Sequence, residues 1–175
     1  MNNDFDNLSI IILTHKTELN ILDKCLSSID KDVKILLIEN SEKYINENYI
    51  LNKYKNVSIF CTGDNLGYGG GNNFGLNKTN TKYALILNPD IICDQNYFIN
   101  IKKYLDGKID FSIIGSQYRD NESYAPAGFF EKNLKLKDAK FDNKYNLYKI
   151  DWVVGCSILI NLEKFKNKSI FDESF

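Results

Sequence analysis

The sequence predicts an α/β domain with a mostly parallel central sheet flanked by helices. Two observations predict it. Short apolar runs alternate with amphipathic stretches through the first two thirds of the chain, the pattern of strand–helix–strand units with right-handed crossovers. Polar and glycine-rich segments follow the runs directly, where a parallel sheet presents ligands beyond the carboxyl ends of its strands.

The elements follow in order. Leu8 to Leu13 is an apolar run broken only by Ser9 and reads as a buried strand. Thr17 is placed to cap a helix with Leu19, Leu22, Leu26 and Ile29 on one face. Val33 to Ile38 is the second strand, and Ser41 opens a weaker helix carrying Ile45 and Tyr49 inward. Val57 to Cys61 is the third strand, followed by a glycine-rich turn and a short helix at 72–77. Tyr83 to Leu87 is the fourth. Asp94 caps a helix with Phe98, Ile101 and Leu105 on one face, stopped at Asp106-Gly107. Phe111 to Ser116 is the fifth strand. From Gln117 to Lys149 the apolar periodicity weakens, which reads as an irregular loop or hairpin excursion. Trp152 to Ile160 resumes as a strand, and a short helix follows near Leu162 to Phe165.

Composition excludes several classes. Apolar residues make up 43% of the 175 residues, so a disordered chain is excluded. The formal net charge is -1 and Arg119 is the single arginine. The chain therefore has neither a basic field for nucleic acid nor the bidentate reader of phosphate and guanine. Cys25, Cys61, Cys93 and Cys156 form no Cys-x-x-Cys pair and read as isolated reduced thiols. The polar, acidic N-terminus lacks a secretory signal, and no apolar run reaches the ~20 residues of a membrane span. The expectation is a cytoplasmic protein, with peripheral contact at the inner face of the membrane left open.

Two segments carry the chemistry. The run from Asn65 to Gly75 holds Gly67, Gly69, Gly70, Gly71, Asn72 and Asn73 directly after a strand, and reads as a ligand loop whose backbone approaches an anion closely. Its spacing is not the Gly-x-Gly-x-x-Gly dinucleotide fingerprint, and no Gly-Lys-Ser/Thr occurs. Leu87-Asn88-Pro89-Asp90 ends a strand with proline and turns Asp90 toward the cleft. A carboxylate there suits a hard divalent cation whose other ligands are phosphate oxygens and water. Alone, the tripeptide reads equally as a plain turn. His15, the one histidine, reads as a structural residue beside the pocket.

Joined in this order, the motifs resemble the family 2 glycosyltransferases of the GT-A fold, in particular their rhamnosyltransferase-like branch. The resemblance rests on Thr14-His15-Lys16, Glu39-Asn40-Ser41, Asn65 to Gly75, Leu87 to Asp90, Trp152-Val-Val-Gly155-Cys156, and Phe171 to Phe175. His15-Lys16 replaces the branch's Tyr-Asn, and Glu39 replaces an aspartate that in relatives contacts the base. The resemblance implies a nucleotide-diphosphate sugar donor, dTDP-rhamnose or a UDP-hexose, and a divalent cation, Mg²⁺ or Mn²⁺. It implies transfer with inversion to a glycan or lipid-linked acceptor.

It also implies site residues. Thr14, Glu39 and Asn40 would line the base and ribose pocket. Asn65, Gly67, Gly70 and Asn73 would hold the ribose–diphosphate side, with Asn88 beside them. Asp90 would coordinate the metal. Trp152 and Gly155 would border the acceptor; the sequence leaves Trp152 open between a stacking platform for sugar and a core residue. The expected organisation is one domain over 1–175, with 1–116 as the nucleotide-sugar half and 117–175 as a partial acceptor half. In relatives the Phe-Asp-Glu-x-Phe motif precedes a Glu-Asp pair that carries the general base. That base is expected beyond Phe175, so slow transfer or a non-catalytic binding module is the alternative. A sugar-nucleotide-forming nucleotidyltransferase is disfavoured, since Thr14 to Glu18 contains no glycine.

Overall fold

A computed structural model describes residues 4–116, 119–120, 123–124, 127–130, 136–138 and 149–173. In chain order the elements are β1 (Leu8–Thr14), α1 (Leu19–Ser27), β2 (Lys34–Glu39), α2 (Glu47–Lys53), β3 (Val57–Cys61), α3 (Gly67–Lys78), β4 (Tyr83–Leu87), α4 (Tyr97–Leu105), β5 (Ile113–Gly115), β6 (Arg119–Asp120), β7 (Ser123–Tyr124), β8 (Ala127–Phe130), β9 (Leu136–Asp138), β10 (Trp152–Val153) and β11 (Ser157–Asn161), followed by a 3₁₀ turn over Leu162–Lys164.

Six strands form the central sheet in the order β3-β2-β1-β4-β11-β5. β1 to β4 run parallel, and β11 lies antiparallel between β4 and β5. The mostly parallel sheet is therefore as the sequence predicts. The continuous apolar runs follow from coverage of both faces, because alternate side chains enter different cores. Leu8, Ile10, Ile12, Ile35, Leu37 and Leu85 pack with Leu22, Cys25 and Leu26 of α1 and with Phe98 and Ile101 of α4. Ile11, Leu36, Ile38, Ala84 and Ile86 face the other way, against Leu76 of α3. Each fully buried aliphatic side chain contributes roughly 1.5–3 kcal/mol of transfer free energy.

Several expectations are corrected. α1 begins after Glu18 rather than at a Thr17 cap. In α2 the inward residue is Ile50, with Tyr44 buried ahead of the helix. Ile45 and Tyr49, expected inward, are 87% and 44% exposed, because the helix starts at Glu47 and its face is rotated accordingly. The expected strand over 152–160 is two strands, β10 and β11, separated by the turn at 154–156. The fifth strand shortens to three residues. Of the segment 117–149, β6 and β7 pair as a hairpin, and β8 joins β9 and β10 in a small antiparallel sheet; the rest lies outside the described residues.

The largest correction concerns the glycine run. It is expected as a loop with a helix at 72–77, yet it is helical from Gly67 onward. Five of the twelve residues of α3 are glycine, and each costs about 1 kcal/mol of helix propensity relative to alanine. Packing explains the choice. A Cβ on Gly75 would lie 2.5 Å from Ile11 Cγ2 and 3.0 Å from Ile38 Cγ1, and one on Gly71 would lie 2.5 Å from Leu13 Cδ1. α3 rests directly on β1 and β2 because its inner face has no side chain at these two turns.

Candidate functional site

The site gathers at the carboxyl edge of the parallel strands. Thr14 and Glu39 are register partners at the ends of β1 and β2, and Glu39 is in turn opposite Cys61 at the end of β3. Glu39 is 3% exposed. Its carboxylate accepts hydrogen bonds from Thr14 Oγ1 and Ser41 Oγ, both at 2.7 Å. Two hydroxyls thus fix a buried carboxylate while leaving it acceptor capacity.

Asn40 ties this edge to the start of α3. Its Nδ2 donates to Asn65 Oδ1 at 2.9 Å and to the Gly67 carbonyl at 3.1 Å. Its Oδ1 accepts from the Leu66 amide at 2.9 Å and from Thr62 Oγ1 at 3.2 Å. Asn40 is 2% exposed, so it acts by holding the 62–67 turn. Gly67 has φ +70°, which a side chain rarely adopts. Asn65 is exposed, and its Oδ1 also accepts from the Gly67 amide at 3.0 Å. His15 Nδ1 lies 2.9 Å from the Asn40 carbonyl.

Asn88 and Asp90 follow β4. The Asn88 amide donates to the Cys156 carbonyl at 2.9 Å, and its carbonyl accepts from Cys25 Sγ at 3.6 Å. Asp90 is exposed and makes no hydrogen bond or ion pair among the described residues. Burial, and secondarily the Asp90 charge, raises the Cys25 and Cys156 thiols. No cluster of three or more His, Cys, Asp or Glu suited to a metal occurs among the described residues. The donor set is one hard carboxylate with free oxygens. That fits a divalent cation taking most of its ligands from a diphosphate and water.

The acceptor-side residues expected from the sequence come close to α3. Tyr68 Oη donates to the Gly155 carbonyl at 2.5 Å, and Trp152 is half-buried in β10 opposite Gly128. Sequence reasoning missed Tyr68. Its signal was an aromatic inside the glycine run, at a position that only becomes meaningful once the run is a helix. Burial raises the Tyr68 phenol above its usual range. Asn73 and Gly70, expected at the ribose–diphosphate side, lie buried in α3. The Asn73 amide is engaged by Phe171 and Glu173.

The Cys25 and Cys93 thiols are inert by burial. Cys25 is pushed up to about 12 and Cys93 to about 11, desolvation being the main cause in both. At pH 8 both stay protonated, and iodoacetamide should modify Cys61 well before either. Peptide mapping of the alkylated native protein checks this. Alkylation of Cys25 as fast as Cys61 would show that α1 opens readily.

Comparison with known proteins agrees with this architecture. A family model described as glycosyl transferase family 2 matches residues 9–165. The low-salt glycan biosynthesis hexosyltransferase Agl10 of Haloferax volcanii is 27% identical over 97% of this chain. This chain spans 57% of that relative's length. Among solved structures, S. aureus TarS 1-349 matches with a TM-score of 0.56 at 14% identity, covering 96% of this chain and 51% of that one. The sheet order, the polar edge beyond β1, β2 and β4, and the match over residues 9–165 agree: this chain belongs to glycosyl transferase family 2 and has the GT-A-type fold.

Proposed function

We propose that this domain binds a nucleotide-diphosphate sugar, a UDP-hexose or dTDP-rhamnose, and transfers the sugar with inversion to a glycan or lipid-linked acceptor. The observation that carries the reading is the convergence of Thr14, Glu39, Asn40 and Asp90 on one edge of a parallel sheet in a family 2 domain. The hexosyltransferase relative supports a hexose donor.

The residues act as follows. Glu39 retains lone pairs after binding Thr14 and Ser41, and accepts the imide N–H of a uracil or thymine base. Asn40 keeps the 62–67 turn closed, so that Asn65 and the Gly67 backbone present polar groups to the ribose and diphosphate. Asp90 supplies the protein ligand of a divalent cation, with Asn88 beside it. Such a cation neutralises negative charge on the departing diphosphate. The acceptor oxygen bonds to the anomeric carbon as the bond from that carbon to the diphosphate oxygen breaks, and the acceptor proton passes to a carboxylate base. Trp152 and Gly155 border the acceptor. Among the described residues no helix is long and apolar enough to cross a membrane; we propose work at the cytoplasmic side, on acceptors in solution or at the membrane face.

Titration calorimetry with UDP, dTDP and CDP in the presence of Mn²⁺ tests the reading. UDP or dTDP should bind, with CDP at least about tenfold weaker, since cytosine has no imide N–H to donate to the Glu39 carboxylate. Equal affinities for all three would contradict a base-reading role for Glu39.

A further inference from the structure

Helix α3 has a second flat face, turned away from the sheet. A Cβ on Gly69 would lie 3.1 Å from the Asp172 carbonyl oxygen and 3.4 Å from Phe171 Cβ. The backbone of 171–172 therefore lies directly on the helix at that turn. One turn later stands Asn73, 2% exposed. Its Nδ2 donates to the Phe171 carbonyl at 2.8 Å and to Glu173 Oε1 at 2.7 Å, and its Oδ1 accepts from the Phe171 amide at 3.0 Å. Both Nδ2 hydrogens are engaged, so the side chain has no donor left for a phosphate or a ribose. Tyr68, on the same face, closes the other flank. Its ring meets Phe171 edge-on at 5.8 Å, and its hydroxyl holds the Gly155 carbonyl.

The same helix is fastened at its start to the donor-side edge, through Asn40 and the Gly67 carbonyl. α3 thus has one end on the nucleotide side and one face on the acceptor side. We propose that Asn73 is a positioning residue: it locks segment 171–173, and with it the acceptor-side wall, onto the donor-side helix, and it does not contact the donor. Gly69 supplies the seat and Asn73 the hook. Glu173 is the group that Asn73 acts through, since an exposed carboxylate is held in one orientation by a buried amide. The bearing of this lock on sugar transfer rests on the function proposed above; the lock itself does not.

Amide exchange by NMR on the full chain, with UDP affinity measured alongside, tests the proposal. In Asn73→Ala, exchange at Phe171 should speed up about tenfold or more, the loss expected for hydrogen bonds of this kind. UDP affinity should stay within about twofold of the parent. Asn73→Asp sets two carboxylates against each other and should release the segment equally. Asn73→Asp combined with Glu173→Gln restores a donor–acceptor pair of opposite polarity, and should recover protection relative to Asn73→Asp alone. If Asn73→Ala does not fold, Glu173→Ala decides, because Glu173 is exposed. Exchange at Phe171 should then rise about threefold or more with the melting temperature unchanged. A tenfold loss of UDP affinity with Phe171 still protected would overturn the proposal and return Asn73 to the donor site. A double variant no better than Asn73→Asp, or unchanged exchange in Glu173→Ala, would also overturn it. Absence of both UDP and dTDP binding in the parent would remove the proposed donor, while the exchange rates would still decide the lock.

Discussion

Gly75→Ala is expected to destabilise the protein by about 1–3 kcal/mol, the cost of overpacking a close-packed interface, even though alanine is the better helix former by about 1 kcal/mol. The sign is the test. In a free helix the substitution would stabilise. Here the new methyl would meet Ile11 Cγ2 at 2.5 Å and Ile38 Cγ1 at 3.0 Å, and both side chains are fully buried in sheet strands. Gly71→Ala should cost less. Its clash is with the ends of Leu13, a flexible side chain that is only partly buried and has room to turn. Gly75→Val should be worse than Gly75→Ala and lower the melting temperature by roughly 6–12 °C, if it costs about 3 kcal/mol in a domain of this size. Urea unfolding of the three variants measures the order. A stabilised Gly75→Ala would mean that α3 does not rest on β1 and β2.

The second large effect is expected at Asp90. In Asp90→Ala, the increase in UDP affinity produced by Mn²⁺ should disappear, a loss of about tenfold or more, while affinity without metal should hardly change. The substitution removes an exposed side chain with no hydrogen-bond partner among the described residues, so the melting temperature should stay within about 2 °C. Asp90→Asn should behave like Asp90→Ala, because a neutral amide is a much weaker ligand for a hard cation than a carboxylate. Calorimetry in paired buffers with Mn²⁺ or EDTA gives both numbers. Full metal dependence surviving in both variants would place the cation elsewhere.

The four parallel strands are legible as short, mostly apolar runs: β1, β2 and β4 are buried almost throughout, and the edge strand β3 is half-buried. The placement of Thr14, Glu39 and Asp90 at one edge followed from that, since strand ends in a parallel sheet share a side. What stayed hidden was tertiary. A run with five glycines has no local reason to be helical; α3 exists because a bare helix face fits against Ile11, Leu13 and Ile38. Reading it as a loop hides that Gly70 and Asn73 lie on a helix and passes over Tyr68. Ile45 and Tyr49 read as inward because an apolar residue every fourth position looks like a buried face, although Tyr44 and Ile50 take the core. The antiparallel insertion of β11 between β4 and β5 carries no signature in a continuous apolar strand, whose direction only its partners define.

Donor and cation are expected to meet at the carboxyl edge of β1, β2 and β4. Paramagnetic broadening in an amide-resolved NMR spectrum, recorded with UDP and substoichiometric Mn²⁺, locates the ion directly. Broadening should centre on Asp90 and extend to Asn88 and Cys156, with UDP-induced shifts at Thr14, Glu39 and Asn40 in the same sample. Asp90→Ala should abolish the broadening and leave the shifts at Glu39 and Asn40. Broadening centred instead on Asp30 and Asp94, in the separate groove bounded by Phe5, Ile29 and Phe98, with no UDP-induced shift at Glu39, would contradict it.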